Sequence, residues 1–169
     1  TYNTLLPFMR ISILPFLLTL LACNNANKNS IKAKDSRLPI LRNGVTIDYT
    51  DSKIGDTTLL FIHGWGINQT YWDNQVNFFS KKFRVVTLDL PGFGKSGKNR
   101  TSWTVEDYGN DISLVLEKLE LKNVILIGHS MSGAIIVETA IKNPSKIIAL
   151  VGVDNFNEFG LSITPEQEN

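Results

Sequence analysis

Asn123-Val-Ile-Leu-Ile-Gly-His-Ser-Met-Ser-Gly-Ala-Ile-Ile-Val-Glu-Thr-Ala-Ile-Lys142 reads as an apolar strand, a tight turn and a helix in immediate succession. The run from Asn123 to Ile127 is continuous and apolar, as a strand buried on both faces requires, and Ala134 to Lys142 is helix-like. Ser130 falls on the turn between them. A serine so placed is lifted clear of the sheet, with a helix N-terminus behind it that favours developing negative charge. The arrangement points to acyl-transfer chemistry and makes Ser130 a candidate nucleophile. Such chemistry needs a histidine base, and the chain has two histidines, His63 and His129. Both sit inside other motif positions.

Further apolar runs flank this segment. Thr58 to Ile62, Arg84 to Leu88 and Lys146 to Val151 have the same character as Asn123 to Ile127, and each predicts a strand buried on both faces. Between them, Tyr71 to Lys82 and Val105 to Leu119 repeat apolar residues at close to the helical period, through Val76 and Phe79 in the first and Ile112, Val115 and Leu116 in the second. Upstream, Leu38 to Arg42 and Val45 to Tyr49 flank Asn43-Gly44, the pair best suited to a two-residue hairpin turn. Alternating strand and amphipathic helix predicts an α/β domain with a mostly parallel sheet.

The composition excludes some functions. Of 169 residues, 43% are hydrophobic and 20% charged, with 17 basic against 16 acidic side chains and a net charge of +1. Neither disorder nor nucleic-acid binding is expected from that balance.

The N-terminal stretch reads as targeting sequence. Met9-Arg10 is followed by an apolar run from Ile11 to Ala22, shorter than the roughly 20 residues of a membrane span. Leu20-Leu21-Ala22-Cys23 resembles the lipobox of bacterial lipoproteins, which implies cleavage before Cys23 and a lipid anchor on its sulfur. Cys23 is the sole cysteine, so it cannot form an internal disulfide. The expected organisation is upstream residues and signal peptide over 1–22, anchor and flexible tether over 23–37, and the α/β domain over 38–169. The expected location is exported and lipid-anchored in the bacterial cell envelope, against the alternative of a plain cleaved signal or an uncleaved anchor.

Three loops follow the C-terminal ends of the buried strands, where ligands bind in such sheets. They are His63-Gly64-Trp65-Gly66, Asp89 to Ser96, and Gly128-His129-Ser130-Met131-Ser132-Gly133. In this order they resemble the α/β-hydrolase family, in particular its esterase, lipase and carbon–carbon-bond hydrolase branch, over about residues 38 to 160. The resemblance implies that Ser130 is the nucleophile and that the main-chain N–H groups of Met131 and Trp65 form the oxyanion hole. It assigns His63, Gly64, Gly66, Gly128, His129 and Gly133 to supporting the motifs, and neither histidine to base catalysis. Ser132 stands where the family most often has glycine; small size is what that position requires. No metal ion or organic cofactor is implied, and the partner is a small-molecule substrate. Serine at position 130 argues against epoxide hydrolase and dehalogenase chemistry, which needs aspartate there.

Nucleotide binding is a poorer reading of the same glycines. Gly94-Lys95-Ser96 ends like a phosphate-binding loop, but the earlier glycine would fall at Asp89. Gly64-Trp65-Gly66 lacks the third glycine of a dinucleotide fingerprint.

In the family the acid and the histidine follow the nucleophile in chain order. The chain ends at Asn169, soon after the sixth anticipated strand, so the resemblance implies a truncated sheet without the cap and the C-terminal strands. This fragment is then expected to be nearly inactive for want of its histidine. Asp154, just past that strand, is a candidate acid, against the alternative that it caps a turn. A non-catalytic protein that binds a ligand or partner on a hydrolase scaffold is the competing function. A histidine encoded beyond Asn169 would separate the two.

Overall fold

The computed structural model describes residues 39–155. The signal-like segment, Cys23, the whole tether and the stretch beyond Asn155 lie outside the described residues. Strand β4 (Thr58–Ile62) runs through the middle of the sheet and is buried along its whole length. Strands β5 (Arg84–Leu88) and β6 (Val124–His129) pair with it in parallel on either side. Strand β7 (Ile147–Val153) adds in parallel to β6, and β3 (Tyr49–Asp51) adds antiparallel to β5, giving the order β3-β5-β4-β6-β7.

Alternation along β4 divides the core. Leu60 and Ile62 face a layer that includes Ile112, Val115 and Leu116 of helix α2 (Val105–Lys118) and Ile135 and Ile136 of helix α3 (Ser132–Lys142). Leu59 and Phe61 face the other way, against Trp72 and against Val76 and Phe79 of helix α1 (Asp73–Phe79). Helices on both faces explain the unbroken apolar runs in the central strands, since neither side meets water. Each such side chain contributes about 1.5–3 kcal/mol through burial.

Three local features depart from the sequence expectation. The run Val45 to Tyr49 divides at Asp48 into β2 (Val45–Ile47), which pairs only with β1 (Ile40–Arg42), and β3 in the main sheet. Seven strands are therefore present among the described residues where six were anticipated. The cause is that the Asp48 main chain bonds to the loop after β5: its N–H donates to Ser96 Oγ at 2.8 Å and its carbonyl accepts from Asp89 N–H at 2.9 Å. The helix expected over Tyr71 to Lys82 is instead a 3-10 turn, Gln69–Trp72, capped by Asn68 and continued by the shorter α1. Phe83 folds back there, its N–H donating to the Phe79 carbonyl, and its ring joins the layer around Phe79. Finally, β7 is not buried on both faces, for Ile148 is 54% exposed, because β7 is an edge of the described sheet.

Helix α2 is anchored at both its cap and its buried face. Asp111 is fully buried and accepts from Arg42 at 3.1 Å and from Arg100 at 2.6 Å, tying the β1–β2 pair and the preceding loop to the helix. At its start Thr104 and Asp107 form a reciprocal capping box. Hydrogen bonds from Ser102 and Thr104 hold the Asp107 carboxyl well down, at about 2 rather than 3.8. A lowered carboxyl pKa contributes stability that is present above the ordinary value and lost as pH falls through the folded one. The difference in unfolding free energy between the wild type and Asp107→Asn should therefore hold steady above pH 3.8 and close as pH approaches 2. Urea denaturation across that interval measures it, and a gap that does not change with pH would exclude this role for the carboxylate.

Candidate active site

Strand β6 ends at His129 and α3 begins at Ser132, so the chain reverses within Ser130 and Met131. Ser130 makes the bend at φ 51°, a left-handed conformation that costs a residue with a Cβ about 1–2 kcal/mol. Its side chain is exposed. Two main-chain bonds hold the bend: Ser130 N–H to the Val153 carbonyl and Gly133 N–H to the Ser130 carbonyl, both 2.9 Å. Gly128 permits the sharp entry into α3. A Cβ there would lie 2.6 Å from the Ser132 carbonyl oxygen and 2.9 Å from Ile136 Cγ2.

The loop after β4 reaches the same place because β4 and β6 pair in register, with Ile62 opposite Gly128. His63 is then level with His129, and Gly64 with Ser130. The approach is close enough to require glycine, since a Cβ on Gly64 would stand 2.5 Å from His129 Nδ1 and 3.2 Å from Ser130 Cβ. Gly66 adopts φ 71° in open space, and Gly133 faces the Asn155 side chain.

His63 orients this loop. It is fully buried, and its Nε2 accepts from Leu90 N–H at 3.0 Å, which leaves the proton on Nδ1 to donate to the Gly64 carbonyl at 2.7 Å. The Gly64 carbonyl and the Trp65 N–H belong to one trans peptide and point opposite ways, so fixing the first aims the second. Burial, foremost, pushes the His63 imidazole below its ordinary 6.5, while the bond to Gly64 and the nearby Asp89 charge oppose that shift. His63 is therefore neutral at pH 7 with both ring nitrogens engaged. Among the described residues, neither Trp65 N–H nor Met131 N–H donates to another protein group.

The other sequence-derived candidates have definite positions. His129 lies 4.8 Å from the Tyr71 ring, and its Nδ1 is buried without a hydrogen bond. Trp65 is 76% exposed and meets Phe93 edge-on at 5.3 Å. Asp154 follows β7 with φ 57° and is exposed; no hydrogen bond joins it to either histidine among the described residues. The Asp89 loop is structural, as the buried carboxylate accepts from Gln69 N–H and Lys95 N–H, each at 2.7 Å. Among the described residues no group of three His, Cys, Asp or Glu is placed to hold a metal ion.

Two contributors were not legible in the sequence. Asn155 donates to the Ser130 carbonyl at 2.6 Å from 25 residues downstream, with no motif around it. Ser132, read only as a small residue, donates its hydroxyl to the His63 carbonyl at 2.5 Å.

The backbone at the bend gives a direct test. Ser130→Gly relieves the left-handed conformation, whereas Ser130→Ala keeps it, so the glycine variant should be the more stable by about 1 kcal/mol. Thermal unfolding of the two variants measures this, and a more stable alanine variant would contradict the strained bend.

Known proteins share this architecture. A family model described as alpha/beta hydrolase fold matches residues 57–168. A bifunctional esterase/perhydrolase of Acinetobacter calcoaceticus is 32% identical over 110 residues, which is 64% of this chain and 40% of that protein. A pimeloyl-(acyl-carrier protein) methyl ester esterase of Hamiltonella defensa is 34% identical over 99 residues, 59% of this chain and 36% of that one. The structure of a thermophilic esterase from Thermogutta terrifontis superimposes with a TM-score of 0.61 at 26% identity, covering 68% of this chain and 42% of that one. The matches span between 27% and 40% of the length of the curated relatives. A mostly parallel sheet with helices on both faces, and a family match over residues 57–168, place the chain in the α/β-hydrolase fold family.

Proposed function

We propose that the protein is a serine hydrolase that cleaves a small ester, or a related acyl or carbon–carbon bond, through an acyl-enzyme on Ser130. The observation that carries this reading is the exposed Ser130 at a left-handed bend, with the Gly64 main chain so near that a Cβ there would stand 3.2 Å from Ser130 Cβ and 2.5 Å from the neighbouring His129 Nδ1. In the proposed reaction Ser130 Oγ attacks the substrate carbonyl carbon, and the carbonyl oxygen takes the negative charge. The uncommitted N–H groups of Trp65 and Met131 receive that charge; one such donor is worth roughly 3–4 kcal/mol in a well-studied hydrolase. The serine proton must pass to a base, which returns it to the leaving group as the scissile bond breaks, and water then hydrolyses the acyl-enzyme and restores the Ser130 hydroxyl. His63 cannot take the proton because both its ring nitrogens are engaged, and His129 lies against Tyr71. The base in this reading lies outside the described residues, and Asp154 is the acid candidate on this frame. Without a histidine base, turnover falls to the residual level of roughly 10³ to 10⁴ over water that binding and the oxyanion hole sustain.

Relatives named as esterases support the substrate class. The absence of a base among the described residues is what favours the second reading, a scaffold that binds a ligand or partner without turnover. A fluorophosphonate separates them. The protein expressed from its complete gene should be labelled, and Ser130→Ala should not; a folded but unlabelled wild type would reject the hydrolase.

We also propose that Cys23 carries the lipid that anchors the protein to the bacterial cell envelope, on the support of Leu20-Leu21-Ala22-Cys23 following an apolar run. In a bacterial host the chain should incorporate labelled palmitate and Cys23→Ser should not. Equal incorporation by both would reject the anchor.

A further inference from the structure

Ser132 is the first residue of α3 and is fully buried, yet its hydroxyl is not idle. It donates to the His63 carbonyl oxygen at 2.5 Å, across 69 positions of sequence. That carbonyl belongs to the His63–Gly64 peptide. The next peptide, Gly64–Trp65, is already held through its own carbonyl by the His63 ring. Two successive peptide planes before the Trp65 N–H are thus fixed, one by the His63 ring within the loop and the other from outside it by α3. On its other side, Ser132 directly follows Met131, whose N–H is the second uncommitted donor at the bend. A single hydroxyl therefore links the chain segment bearing one donor to the segment bearing the other. A glycine at 132 would leave the two segments without this side-chain link beyond the end of the β4–β6 pairing.

We propose that Ser132 is a positioning residue for the reaction: its hydroxyl sets the spacing between the Trp65 and Met131 amides, so that both meet the same developing oxygen anion. The inference rests on the serine-hydrolase reading above. It is specific to this chain's serine, since size alone would be satisfied by glycine. The hydroxyl touches neither substrate nor Ser130, so its removal should leave substrate binding intact and weaken the stabilisation of charge that appears only after attack. The bond is also buried, so water cannot take its place at the His63 carbonyl without entering a closed site.

The experiment uses the full-length protein, with Ser132→Ala and Ser132→Gly compared to the wild type on 4-nitrophenyl acetate after Ser130 reactivity has been checked with a fluorophosphonate. Both variants should lose about 10-fold or more in kcat. KM should stay within about twofold, the signature of an interaction made only in the transition state. Two variants guard against one failing to fold, and circular dichroism confirms which are folded. An unchanged kcat in a folded variant, or a loss that falls on KM, overturns the role of Ser132 while leaving the hydrolase reading intact. A wild type that the fluorophosphonate does not label removes the hydrolase reading itself.

Discussion

The site depends on the close approach of the Gly64 main chain to the His129 ring and the Ser130 Cβ. Gly64 lies against the Ser130 bend at a distance where any Cβ would strike His129 and Ser130. Everything chemically useful follows from that contact: it brings the Trp65 N–H beside the bend, and it leaves the Ser130 side chain outside the sheet. The contact in turn requires parallel pairing of β4 and β6 in a register that puts Ile62 opposite Gly128. A slip of one residue would turn Gly64 away and present a side chain in its place.

Around this contact the molecule uses buried polar groups as fasteners. His63 holds the loop, joining Leu90 to Gly64 through its two nitrogens. Asp89 folds the neighbouring loop onto Gln69 and Lys95, and its main chain meets Asp48. Ser132 and Asn155 fasten the bend from α3 and from the end of β7. His63, Asp89 and Ser132 are withdrawn from water, so loss of any of them would leave a buried partner unsatisfied, which makes such groups better guides to geometry than to net stability. The site's shape is therefore spread over four separate chain segments.

Much of the fold could be read directly. The apolar runs of β4, β5 and β6 are buried on both faces, and α2 follows its apolar period from Ile112 through Leu116. Where the reading fell short, a distant partner made the difference. Asp48 breaks a strand because Ser96 and Asp89 claim its main chain, and neither is near it in sequence. Likewise β7 looks like its parallel neighbours in composition, yet it is an edge of the described sheet with Ile148 in water.

By itself the sequence determined the periodicities, the three loops at strand ends and the serine between glycine-rich flanks, because those are local choices of residue against backbone geometry. It also placed both of its histidines, His63 and His129, in motif positions. Tertiary structure decided which hydrogen bonds those residues make. The His63 tautomer follows from Leu90, the bend's support from Asn155, and the task of the Ser132 hydroxyl from a carbonyl 69 residues away. Such pairings carry no periodic trace in the chain. They arise only when separate segments meet in a dry interior, where an unpaired donor or acceptor is costly and each group must find the nearest partner.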